Sequence, residues 1–105
     1  MSEAIEWACS RLLRLKGLIG RRPDDTVLVL CPCNDVHTWG MRHPLDMAFV
    51  AKDGRVVLSL RNVGPRQRKH AREAVLVVER FASPQQWFEE GEFVALLPLK
   101  KEVYR

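Results

Sequence analysis

Between Cys31 and Asp46 the chain places two thiols, two imidazoles, an indole, a thioether and two carboxylates within one short segment, CPCNDVHTWGMRHPLD. Pro32, Gly40 and Pro44 interrupt it, so it is no ordinary core strand, and its side chains are of the types that bind or react. In an extended segment Cys31 and Cys33 emerge on one face, and His37 can curl back toward them after Asn34-Asp35. The spacing is Cys-x-Cys, with no second cysteine pair. A zinc ion would need a fourth ligand from His43 or Asp46, so no metal or other cofactor is expected. Cys33 beside His37 is the thiol alternative, a redox or nucleophilic pair that needs a base or cation close to the sulfur.

If Val36 to Met41 is extended, His37, Trp39 and Met41 share one side and line a cavity suited to an apolar or planar ligand, with Thr38 on the other side. The alternative is that Trp39 and Met41 fill the core while a backbone carbonyl fixes His37. Asp46 opens an apolar strand, where a buried carboxylate must be paired. A structural latch is the first reading, with Arg42, His37 or backbone amides of the preceding turn as partners. The expected ligand-binding set is therefore Cys33, His37, Thr38, Trp39, Met41 and Asp46, with no catalytic residue assigned. An enzyme using Cys33, His37 and Asp46 stands as the alternative.

The elements that position this segment are short. The chain of 105 residues, 47% hydrophobic and 29% charged, fits one globular domain, residues 1–105. Ser10 caps a helix through Arg11–Lys16, with Leu12, Leu15, Leu18 and Ile19 at helical spacing and Gly17 or Gly20 as its stop. Strands are expected over Ile5–Ala8, Thr26–Cys31, Asp46–Ala51, Arg55–Leu60, Ala74–Glu79 and Phe93–Leu99. Lys52-Asp53-Gly54 makes the turn of a hairpin, because Asp-Gly accepts positive backbone angles. Ser83-Pro84 followed by Gln86 reads as the start of a helical turn reaching Phe88. Trp7 and Trp87 read as packing residues. The fold class is mainly β, a small antiparallel sandwich or squashed barrel, jelly-roll-like, with one or two short helices.

Three cysteines and an acidic N-terminus without a leader pattern argue for free thiols and a cytoplasmic protein, and no apolar run is long enough for a membrane span. The net charge of +4 attracts anions. The basic stretch Asn62–Arg72, with Arg66, Arg68, Lys69 and Arg72, reads as a solvated mobile loop, since it lacks the interleaved aromatics of a nucleic-acid binder. Nucleic acid remains the second alternative; a small molecule or a protein segment is the expected partner. No phosphate-binding loop, dinucleotide fingerprint or nucleophile elbow is present.

Arg14-Leu15-Lys16-Gly17-Leu18-Ile19-Gly20-Arg21, Pro32-Cys33, Val36-His37-Thr38, Gly40-Met41, Pro44-Leu45-Asp46, Phe49 and Asp53-Gly54-Arg55-Val56 together resemble the prokaryotic domain of unknown function 192. The resemblance spans most of the chain. It implies a compact β-rich fold related to jelly-roll sandwiches and carries no secure activity with it. Members usually show Val-Leu-Glu and then a glycine, whereas here Val75-Leu76 is followed by Val77 and Phe81 falls near the glycine. A function needing that glutamate beside Asp46 is thereby in doubt.

Overall fold

A computed structural model describes residues 5–10, 14 and 16–94. Seven strands form: β1 (Ile5–Ala8), β2 (Val27–Leu30), β3 (Asp35–His37), β4 (Leu45–Ala51), β5 (Val56–Val63), β6 (Arg68–His70) and β7 (Ala74–Phe81). The main sheet runs β1-β2-β7-β4-β5, and β3 pairs with β6 in a second, two-stranded sheet. Neither closes into a barrel, so the mainly β, sandwich-like expectation stands. Only β1 and β2 run parallel within the main sheet. A parallel pair cannot be joined by a hairpin, which is why the long 9–26 connection lies between them. Its helical residues Arg14 and Lys16 are described, with Arg14 N–H donating to Ser10 O at 3.0 Å; the rest of the expected helix, 11–13 and 15, lies outside the described residues. Gly17 follows in the left-handed region, φ 50°, as a helix stop requires.

Alternation along the strands sorts the apolar side chains to two faces. Leu28, Leu30, Leu45, Met47, Phe49, Val77 and Phe81 form one core under Leu18, Val36 and Met41. Val27, Val29, Ala48, Val50, Leu76 and Val78 form another, against which Trp7, Trp87 and Phe88 pack. The two tryptophans are thus packing residues. The β4–β5 hairpin turns at Gly54, φ 93°, with Arg55 N–H bonded to Asp53 Oδ1 at 3.0 Å.

Two local expectations give way and a third falls mostly outside the described residues. Ser83–Phe88 makes bends and no helical turn: Ser83 Oγ does cap Gln85 N–H at 3.0 Å, but Trp87 is drawn down to Met47 O (3.1 Å), so the chain follows the sheet. The basic Asn62–Arg72 stretch is partly strand, because β5 continues to Val63 and Arg68–His70 pairs with β3. Phe93 makes only an isolated bridge to Arg55, and 95–99 of the expected last strand lies outside the described residues. Among the described residues no helix is long and apolar enough to cross a membrane.

Candidate functional site

Two buried carboxyl groups occupy neighbouring strands. In the β4–β7 register Asp46 pairs with Arg80 and Met47 with Glu79, so Asp46 lies on the face of Arg80 and Glu79 on the face of Met47. The two acids are on opposite faces of one sheet.

Asp46 is fully buried and amply partnered. Arg80 Nε donates to Oδ2 at 2.9 Å, Asn62 N–H to Oδ1 at 3.1 Å and Ser83 N–H to Oδ2 at 3.4 Å, while Arg61 Nε lies 3.6 Å away. The register slips between Leu45–Val63 and Met47–Leu60, placing Arg61 and Asn62 opposite the single residue Asp46. This bulge turns the Asn62 amide onto the carboxylate, and Asn62 tolerates the φ of 55° it then needs. Arg80 also bonds Gln85 O and Gln86 O and lies under the Trp87 ring, 4.4 Å from its centroid. Asp46 is held by Arg80, Arg61 and two amides, not by the expected Arg42 or His37.

Glu79 is 2% exposed and, among the described residues, has no hydrogen-bond or ion-pair partner. Burial alone pushes its pKa up to about 7. Its carboxyl faces a cavity of about 60 Å³ roofed by Arg14 and Lys16–Ile19 and walled by β3, Leu30, Met41 and Leu45. A Cβ at Gly17 would stand 3.3 Å from Glu79 Oε1, so the carboxyl lies directly beneath that glycine. Lys16, Asp35 and His37 also reach solvent and mark the mouth; Leu18, Leu30, Val36, Met41, Leu45 and Glu79 are buried and form the floor. Arg68 donates to both oxygens of Asp35 from Nε and to Oδ2 from Nη2, which holds that carboxyl below the usual range.

The expected site residues distribute unevenly around this recess. His37 and Met41 line it. Trp39 does not: Thr38-Trp39-Gly40-Met41 makes a turn, with Met41 N–H on Thr38 O at 3.0 Å and Gly40 at φ 89°. That turn replaces the extended course assumed from sequence, sends Met41 inward and leaves Trp39 52% exposed, edge-on to the His37 ring at 5.9 Å. Thr38 Oγ1 donates to Gly64 O (2.7 Å) and accepts from Gln67 N–H (2.9 Å), clamping the β5–β6 turn. Cys33 Sγ donates to Asp35 O at 3.4 Å, and burial raises its pKa, which keeps the thiol protonated. Cys31 packs on the second face and Cys33 against the first, because the chain bends after Leu30; the two thiols do not share a face as the extended reading required. Among the described residues no three His, Cys, Asp or Glu side chains gather as metal ligands.

Sequence reasoning missed Glu79, and with it Arg14, Lys16 and Gly17 as parts of one recess. The signal was available: Glu79-Arg80 are adjacent charges inside the run from Ala74 to Phe81, one for each face. A buried glutamate, Glu79, stands two residues beyond Val77 on the same strand.

A family model described as DUF192, Uncharacterized ACR, matches residues 2–92. A crystal structure from Sinorhizobium meliloti 1021, provisionally labelled a transcription regulator, is similar at a TM-score of 0.66 and 26% identity over 74% of this chain and 67% of its own. A protein of unknown function from Novosphingobium aromaticivorans is similar in fold at a TM-score of 0.66, 24% identical over 75% of this chain and 63% of its own. No curated protein matches.

Proposed function

Because this chain belongs to DUF192, an uncharacterized family whose model covers most of its length, we propose a function from its own geometry: a non-catalytic binding module whose recess at Glu79, His37 and Met41 takes a small ligand. One observation carries the reading. A desolvated carboxyl costs several kcal/mol if ionised and about 1–3 kcal/mol if neutral and unbonded, so native structures satisfy such groups almost without exception. Glu79 makes no hydrogen bond or ion pair among the described residues, and its carboxyl opens to solvent only through the recess. Water or a ligand in that space is the partner open to it.

The chemistry of the neighbouring groups favours binding over turnover. Cys33 is a protonated thiol bonded to a carbonyl, without the base a nucleophile needs. The provisional label on the Sinorhizobium protein suggests nucleic acid, but the basic Asn62–Arg72 stretch lacks the interleaved aromatics such a surface uses, and Arg68 within it is engaged by Asp35.

The test is amide-signal mapping by NMR with a library of small polar molecules of differing charge. Ligands that shift Gly17, His37, Met41 and Glu79 together are expected. Shifts confined to other surfaces, or none, would overturn the reading.

A further inference from the structure

Resting on that reading of the recess, we propose that its ligand is a small monocarboxylic acid, whose carboxylate is held between the Glu79 carboxyl as hydrogen-bond donor and the cationic side chains of Arg14 and Lys16. Position comes first. Glu79 Oε1 lies beneath Gly17, and Arg14 and Lys16 line the same recess on the segment that leads into that glycine, so an anion entering there passes two cationic residues on its way to the acid. Arg14 spends one terminal nitrogen on Cys9 O (2.7 Å) and has further N–H groups to offer. Lys16 is exposed and no ion pair engages it among the described residues.

Charge decides the sign of the ligand. The groups facing the carboxyl are Arg14 and Lys16 above it and Cys33, Asp35 and His37 from the β3 side. Asp35 is neutralised by Arg68, and Cys33 is uncharged, which leaves a positive mouth over an acid that burial keeps protonated below about pH 7. An ammonium group would be repelled by the mouth. A carboxylate is attracted, and the Glu79 O–H supplies the short, strong hydrogen bond an anion accepts best. Size limits the class: about 60 Å³ is room for about two water-sized groups, enough for a carboxylate head and a very short alkyl end near the mouth. Leu18, Leu30, Met41 and Leu45 offer the alkyl end an apolar wall.

The complex keeps one proton between the two carboxyl groups. Below about pH 7 Glu79 already carries it; above, binding takes it up from solvent, and affinity falls.

The experiment titrates the full chain with acetate, propionate, propylamine and propionamide at about pH 6 and pH 8, reading recess amide signals. Acetate and propionate are expected to bind, about tenfold more weakly at the higher pH, which is the factor a group titrating near pH 7 imposes. In Glu79→Gln, which keeps a donor but cannot titrate, that pH dependence should vanish; in His37→Gln it should persist. Propylamine or propionamide moving the recess signals while the acids do not, or an unchanged pH slope in Glu79→Gln, would overturn the ligand class and leave the recess standing as a site. If no probe of any charge moves those signals, both the ligand class and the binding reading fall.

Discussion

Asp46 and Glu79 are equally buried acids on paired strands of the same sheet, and the two faces treat them in opposite ways. On the Asp46 side a bulge, two arginines and a tryptophan lid close around the carboxylate and leave nothing for a ligand to do. On the Glu79 side a glycine and a small cavity stand where partners would be. Burial alone therefore does not distinguish a structural acid from a functional one. The count of satisfied lone pairs does.

The largest effect should come from breaking the satisfied side. Asp46→Ala leaves Arg80, 6% exposed, as an uncompensated buried cation and frees the Asn62 amide that shapes the β5 bulge. A loss of about 3–5 kcal/mol in urea unfolding is expected. A loss below about 1 kcal/mol would mean that Arg80 finds solvent easily and that the latch is not tight.

Glu79→Gln should act in the other direction and only with pH. The unfolded glutamate titrates near 4.5 and the folded one at about 7, so between those values the native state holds a proton the unfolded chain has released. Stability then declines as pH rises through that window, by on the order of 3 kcal/mol in all. Removing the titration removes the decline. The variant is expected to match the parent near pH 4 and to exceed it at pH 8 by up to that amount, measured as thermal or urea unfolding at both pH values. Equal stability of the two proteins at pH 8 would show that the carboxyl ionises without penalty, and the contrast between the two acids would disappear.

Much of this arrangement was legible beforehand, and the illegible part has physical causes. The hairpin at Asp53-Gly54 and the strands β1, β2, β4 and β7 follow from alternation and turn chemistry, which are local. The need of Asp46 for a latch was equally local, since any acid in that apolar run must be paired. Its partners were not, because Arg80 and Asn62 reach it through cross-strand register and a bulge that no spacing rule announces. The segment from Cys33 to Met41 was recognisable as unusual, yet its geometry turned on whether Thr38–Met41 runs extended or folds into a turn. Gly40 allowed both. The recess itself is assembled from residues far apart in the chain, Arg14 and Lys16–Ile19, Asp35–His37 with Met41, and Glu79, and the sheet order β1-β2-β7-β4-β5 brings them together. Arg68–His70 was hidden for another reason: a strand of three charged or polar residues has no hydrophobic signature and forms because β3 offers it an edge.

The smallest effect separates backbone strain from the presence of the carboxyl. Gly17 and Gly20 both hold positive φ, 50° and 80°, and an alanine at either costs about 1 kcal/mol in that region. Their surroundings differ. Around a Cβ at Gly20 there is nothing within 4 Å, whereas at Gly17 it would stand 3.3 Å from Glu79 Oε1 and strip what little solvent that oxygen meets. The ionised acid should suffer most from this. Gly17→Ala and Gly20→Ala are thus expected to lose similar stability near pH 4, where Glu79 is protonated, and to part company at pH 8, with Gly17→Ala the weaker by a further fraction of a kcal/mol. Parallel losses at both pH values would detach Gly17 from Glu79 and take away the roof on which the recess depends.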